Sequence, residues 1–263
     1  MRVRFLCLAM VCLPLAAGCA TEKFQIGRGV PEQEIEKCMA LSAKKHFEEA
    51  IQCLEIFKSR FPGSAEGQEA ELRIADNHYQ RKEYLLAAET YEAFIKLHPS
   101  HPKVDYALYR VGLSHVQAGP KAIDRDQGYL QDALAAVETM LAEFPQSPFA
   151  EAARQQRTAI RGRIGRRHFY VGNFYFRTGE YRAAIPRFME VLQAYPEVGR
   201  AEEAAGKVVA AAARIGLLEE AKTVYAKMIE AFPRSPWTKR AERLLLRAAA
   251  SAANIRTAPK TRP

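Results

Sequence analysis

Cys19 is the residue whose type and setting most plainly suggest chemistry. It closes the run Leu15-Ala16-Ala17-Gly18-Cys19, behind a positive start at Arg2 and Arg4 and thirteen largely apolar residues from Phe5 to Ala17. That run is too short to span a bilayer, which takes about 20 apolar residues. It suits the core of a secretory signal. The small residues before the cysteine resemble a bacterial lipobox, in which cleavage between Gly18 and Cys19 leaves a thiol to be diacylated. The leucine stands one place further upstream than usual, and an ordinary signal peptide beside a chance cysteine is the alternative. Ala20, not aspartate, follows the cysteine, as in lipoproteins delivered to the outer membrane.

The remaining reactive groups are sparse. Cys7 and Cys12 would leave with the signal, so Cys38 and Cys53 would be the free thiols of the mature chain, in an oxidising compartment. They can form a disulfide across one helical hairpin or sit as two buried thiols; their spacing allows both. No zinc-type cysteine spacing occurs. His98 and His101 lie in the proline-broken segment HPSHP, unlike the i, i+4 histidine pairs that hold metals on helices. No nucleophile elbow, H-E-x-x-H motif, Walker loop or G-x-G-x-x-G motif is present. The expectation is a binding protein rather than an enzyme, with no cofactor and no metal. Arg154 to Arg167 holds six arginines and no acid, in a chain of formal charge +9. Export argues against nucleic acid as the partner. A solvated face or a protein-docking face remains, with Arg161 and Arg166 as docking candidates.

The elements that must carry these residues are helical. Residues 167–196, RHFYVGNFYFRTGEYRAAIPRFMEVLQAYP, read as two amphipathic helices around a turn at Gly179. Gly172, Tyr175, Ala184, Phe188 and Pro196 match the tetratricopeptide (TPR) spacing. In this reading Gly172 and Ala184 let the helices approach, while Tyr175 and Phe188 fill the wedge between them. The distance from a small alanine to a closing proline recurs at twelve residues: Ala50–Pro62, Ala87–Pro99, Ala133–Pro145, Ala184–Pro196 and Ala221–Pro233. The prolines are 37, 46, 51 and 37 residues apart, against about 34 in plain TPR arrays. The excess falls in a polar, exposed insertion at residues 118–128, AGPKAIDRDQG, and in a long leading helix from about Phe149 to Arg177. Serines after three of the prolines (Ser100, Ser147, Ser235) are candidate caps for the next helix.

The predicted fold is an all-α, TPR-like superhelical solenoid of five helix–turn–helix repeats plus a C-terminal capping helix, against which Trp237 packs. Residues 1–18 form the signal, and 19–31 the lipidated cysteine and tether. Repeats 1–3 occupy 32–145 and repeats 4–5 with the cap 146–251. Residues 252–263 form a disordered tail. Tyr79, Tyr106, Tyr109 and Leu113 face the concave side in this register. There they can grip an extended peptide or belong to the core between repeats.

The blocks RIADNHYQRKEYLLAAETYEAFIKLHP, VDYALYRVGLSH, DRDQ and FYVGNFYFRTGEYRAAIPRFMEVLQAYP resemble the YfiO-type (BamD) lipoprotein family of the machinery that assembles β-barrels in the bacterial outer membrane. The resemblance spans about Glu32 to Ser235. It implies a scaffold anchored to the outer membrane by lipid and facing the periplasm. The C-terminal repeats would dock on the last periplasmic POTRA domain of a BamA-like barrel protein, Arg187 pairing with an acid there. The N-terminal repeats would receive the C-terminal segments of unfolded outer membrane proteins, with Phe61, Tyr79, Tyr106 and Tyr109 as groove residues. Other assembly lipoproteins are further implied partners. Two departures stand out: His168 replaces a frequent glutamate, and Pro186 is expected to interrupt the helix just before Arg187. A TPR lipoprotein of another envelope system, such as pilus biogenesis or Tol–Pal-linked division, is the alternative.

Overall fold

The computed structural model describes residues 29–257, all of whose regular structure is helical. Gly18, Cys19, the signal, most of the tether and residues 258–263 lie outside the described residues. Five hairpins follow one another: α1 (Pro31–Ala43) with α2 (Phe47–Arg60), α3 (Ala65–Gln80) with α4 (Tyr84–Leu97), α5 (Val104–Ala118) with α6 (Gly128–Glu143), α7 (Ala150–Thr178) with α8 (Tyr181–Gln193), and α9 (Ala201–Arg214) with α10 (Leu218–Ala231). α11 (Pro236–Thr257) closes the array. Each helix packs chiefly on its neighbours in the chain, so this is the TPR-like solenoid that the spacing predicts.

The closing prolines act through the residue before them. Phe61, His98, Phe144, Tyr195 and Phe232 all leave the helical region, with φ between −121° and −137° and ψ between 50° and 60°. Proline's Cδ disfavours the helical conformation at the preceding residue, which favours ending the helix there. The aromatic rings then turn back on the hairpin, as Phe61 does on Phe57 at 4.9 Å. At the other end of each hairpin the turn needs a left-handed residue. Gly179 (φ 84°) and Gly216 (φ 80°) supply it in repeats 4 and 5, but Lys45 (φ 63°) and Lys82 (φ 65°) do so in repeats 1 and 2.

Burial is distributed along the chain rather than gathered in one core. Cys38, Leu54, Phe57 and Ile74 form the first cluster, and Leu72, Tyr91, Phe94 and Val111 the second. Leu130, Val137, Met140 and Ile160 follow, then Phe169, Phe188 and Val208, then Val209, Met228 and Leu245. Trp237, in the first turn of the cap helix, lies against Gly206 of α9. Cys38 and Cys53 are joined by a disulfide across the first hairpin, with Cα atoms 5.4 Å apart and both residues buried.

Several local expectations need correction. Gly172 packs directly on Phe188: a Cβ there would lie 2.9 Å from its ring, so the glycine makes room for an aromatic. Pro186 does not interrupt α8, which runs through it. It removes the one bond to the Arg182 carbonyl, on an exposed face where water can replace it. α11 reaches Thr257, into the stretch read as a tail, because alanine-rich sequence sustains helix. Ser64 caps α3 in the conventional way, accepting from the Gly67 N–H at 2.9 Å. Ser235 caps α11 as expected, accepting from the Trp237 N–H at 3.2 Å, and Ser147 accepts from the Phe149 N–H at 3.1 Å. The same two hydroxyls also donate to Glu202 (2.5 Å) and Asp105 (2.6 Å) respectively, acids on the first helix of the preceding repeat, and so tie repeat to repeat.

Candidate partner-binding sites

Two regions gather functional side chains. The first is built by α3, α4 and α5. Asp76 sits one turn after Arg73 on α3, where it receives two phenols. Tyr91 on α4 and Tyr106 on α5 both donate to Asp76 Oδ1, the second at 2.6 Å. Arg73 reaches Asp76 Oδ2 at 3.3 Å and Glu69 at 2.7 Å. Arg110 donates to the Tyr91 hydroxyl at 3.0 Å and lays its guanidinium 4.0 Å from the centre of the Tyr79 ring. Burial and the Asp76 charge push both the Tyr91 and Tyr106 phenols well above the usual tyrosine range, so they remain donors. Beside this network lies a cleft of ≈ 430 Å³ walled by Glu69, Arg73, Asp76, Lys103, Tyr106 and Phe149. Tyr109 stacks on Phe149 with ring centres 5.6 Å apart and planes 15° apart.

The structure thus joins Tyr79 and Tyr106 through Arg110, and Tyr106 and Tyr109 through Phe149. Leu113 is only partly buried. Phe61 stays apart, packed in the first repeat against the disulfide-bearing cluster. Sequence reasoning missed Asp76, Arg110 and Phe149. The i, i+3 pair Arg73/Asp76 and the aromatic directly after Ser147-Pro148 were the available signals, but only the fold shows what they meet.

The second region is built by α7, α8 and the insertion between α5 and α6. Arg187 is exposed on α8 and has no ion-pair partner among the described residues. It lines a cleft of ≈ 570 Å³ with Asp126, Gln127, Arg167, His168 and Tyr175. His168 stacks on Tyr195 at 5.6 Å. Burial first, then the charge of Arg187 and a smaller contribution from Arg167, lower its pKa below the usual histidine range and favour the neutral ring, against the opposing pull of Glu190.

The arginine run is largely committed inside the chain. Arg161 pairs with Glu197 at 2.6 Å and also donates to the Ala194 carbonyl, 5.3 Å from the Tyr195 ring centre. Arg154 pairs with Glu151 at 3.0 Å. Arg163 donates to the Pro120 carbonyl (3.0 Å) and to Gln127 Oε1 (3.2 Å). Arg167 donates to the carbonyls of Ile123 (2.8 Å) and Arg125. Of the two residues proposed for docking from this run, Arg166 is the one that projects outward. The insertion is correspondingly more ordered than its composition suggests: Gln127 is buried, and its amide donates to the Pro120 and Ala122 carbonyls at 3.1 and 3.0 Å. Among the described residues no group of histidine, cysteine or acidic side chains could hold a metal, and no helix is long and apolar enough to cross a membrane.

Stacked helical hairpins of this kind make the chain a TPR-type solenoid protein. The profile of the YfiO family, described as outer membrane lipoproteins, matches residues 33–228, and the chain belongs to that family. Its relatives include the outer membrane protein assembly factor BamD of Vibrio cholerae serotype O1, 26% identical over 219 residues that cover 80% of this chain and 91% of that one. The protein of the same name from Caulobacter vibrioides is 27% identical, covering 87% of this chain and 76% of its own. That of Neisseria meningitidis serogroup A is 28% identical, covering 73% and 75%. A thermophilic TPR protein from Thermus thermophilus overlays with a TM-score of 0.40 at 18% identity, covering 85% of this chain and all of that one.

Proposed function

We propose that the chain is a lipid-anchored, periplasm-facing scaffold of outer membrane protein assembly, acting by binding rather than catalysis. The assembly role follows the name that its relatives carry. Cys19 carries the anchor; three acyl chains bury enough methylenes for stable attachment. Repeats 1–3 receive the C-terminal segment of an unfolded barrel protein. The rings of Tyr79, Tyr106, Tyr109 and Phe149 offer apolar surface to an extended strand. The Tyr106 hydroxyl is already bound to Asp76, so it is the ring of this residue that meets the guest. Repeats 4 and 5 dock on the periplasmic POTRA domain of a BamA-like protein.

The observation that carries the docking reading is Arg187: an exposed guanidinium beside a cleft, without an ion-pair partner among the described residues. Arg166 can add to this face, whereas Arg161 is occupied by Glu197. The test is affinity purification from gently solubilised membranes with the wild-type chain and Arg187→Glu. Recovery of the BamA-like protein and its accessory lipoproteins by the wild type, with a marked loss in the variant, is expected. Equal recovery overturns the docking role, and recovery of pilus or Tol–Pal components instead overturns the assembly reading. Palmitate labelling that survives Cys19→Ala would refute the anchor.

A further inference from the structure

We infer that the insertion between α5 and α6 is a latched wall of the Arg187 cleft, and that the docking element it receives carries both an acid, for Arg187, and a base, for Asp126. This inference rests on the docking reading above.

The insertion holds itself in place by an internal frame. The Gln127 side chain is buried and donates to two carbonyls of its own loop, at Pro120 and Ala122. From outside, Arg163 grips Gln127 Oε1 and the Pro120 carbonyl, and Arg167 grips the Ile123 and Arg125 carbonyls. A guanidinium directs several donors in a fixed fork, so two arginines one helical turn apart fix the path of a loop that has no secondary structure of its own. Carbonyls satisfied in this way free the loop's acids from any local role. Asp124 and Asp126 are exposed and have no ion-pair partner among the described residues.

The loop ends where it matters for recognition. Asp126, Gln127 and Gly128 line the cleft on one side, and His168, Tyr175 and Arg187 line it from α7 and α8. Three basic groups face Asp126 across that space. Arg167 keeps its charge but directs Nη1 at the loop carbonyls, which fixes it beside the loop, and His168 is held towards its neutral form. Among the described residues lining the cleft, Arg187 is the cation with no hydrogen bond or ion pair within the chain, and Asp126 the acid without an ion-pair partner. Complementary charge sets orientation as well as attraction. A uniformly acidic partner surface would satisfy Arg187 but meet Asp126 with repulsion; a surface with an acid and a base satisfies both in one orientation only. Arg163 and Arg167 are positioning residues in this scheme, since they act through the loop.

The experiment measures affinity between the full lipidated chain in detergent and the detergent-solubilised BamA-like protein of the same organism, at two salt concentrations. Asp126→Lys is expected to weaken binding about tenfold at low salt and less at high salt. The double variant Arg163→Ala/Arg167→Ala is expected to weaken it comparably and to speed hydrogen exchange at 119–127, with exchange in α9 and α10 unchanged. A loss of packing alone would not produce the third result: in the unlatched background, Asp126→Lys should add less than about twofold, because Asp126 no longer has a fixed place. Unchanged or tighter binding by Asp126→Lys overturns the two-charge cleft, and full additivity overturns the latch. If Arg187→Glu binds as well as the wild type, the docking reading itself fails; if it weakens while Asp126→Lys does not, only this inference fails.

Discussion

The two clefts differ in how their polar groups are spent. Around Asp76, each charge meets another within the chain: two phenols and two guanidinium groups converge on one carboxylate. Around Arg187, Arg163 and Arg167 of α7 bind loop carbonyls and Arg161 binds Glu197, while Arg187 and Asp126 stay without ion-pair partners among the described residues. A closed network stabilises and orients rings, whereas open charges wait for another molecule. In the proposed reading the N-terminal site is a rigid aromatic platform, and the C-terminal site an electrostatic socket. Substitutions should separate them: stability should fall at the first and binding at the second.

The largest loss of stability is expected from Asp76→Ala. It strands Arg110 and two phenols in a half-buried setting, and urea unfolding should show a loss of about 3 kcal/mol. A change below about 1 kcal/mol would mean that the network is slack. Gly172→Val comes next: its side chain must displace the buried Phe188 ring, at about 1–3 kcal/mol, read from the same curves. Arg187→Glu should leave unfolding within about 0.5 kcal/mol of wild type; a larger loss would move Arg187 from the socket into the structural class.

The pH response sharpens the contrast further. The folded pKa of His168 lies below its unfolded value, so as pH falls below about 6.5 the unfolded chain takes up the proton first. Stability then declines until the folded pKa is reached. His101, lowered mainly by burial, adds a decline of the same sign. Thermal melts between about pH 7.5 and 5.5 should therefore show a shallower fall for His168→Gln than for wild type, with the His101 share remaining. Arg187→Glu should also make it shallower, because it removes a positive charge that lowers the His168 pKa. The smallest effect belongs to the turns. Lys82→Gly relieves a left-handed lysine and should raise the melting midpoint by the equivalent of at most about 1 kcal/mol. The matching Gly179→Lys should lower it.

The repeat plan was legible because its causes are local. A proline disfavours helix at the residue before it, and the five that follow a small alanine by twelve residues mark the five hairpin ends, whereas Pro186, without that spacing, is carried inside α8. Of the cleft beside Asp76 only Tyr106 was legible, while Tyr79 and Tyr109 sit next to it through Arg110 and Phe149, and Tyr79 and Tyr106 also pack on the core between repeats. The partners of these rings were not legible. Asp76 and Tyr106 are 30 residues apart and Arg163 and Pro120 are 43 apart, and no periodicity relates a loop carbonyl to a guanidinium on another helix. The fate of the arginine run could not be read for the same reason: six arginines in sequence look alike, and only their neighbours make some braces and leave Arg166 pointing outward.

By itself, then, the sequence determined the five hairpins and where their closing prolines end them, and the expectation of a lipid anchor at Cys19, for these depend on residue type and on contacts within one or two turns; the end of α11 and the passage of α8 through Pro186 it did not. Tertiary structure alone decided that Gly172 serves Phe188, that Asp76 gathers the tyrosines, and that the insertion is gripped by α7. Those outcomes depend on how successive hairpins rotate against one another, which the summed packing of all the repeats sets and no single segment encodes.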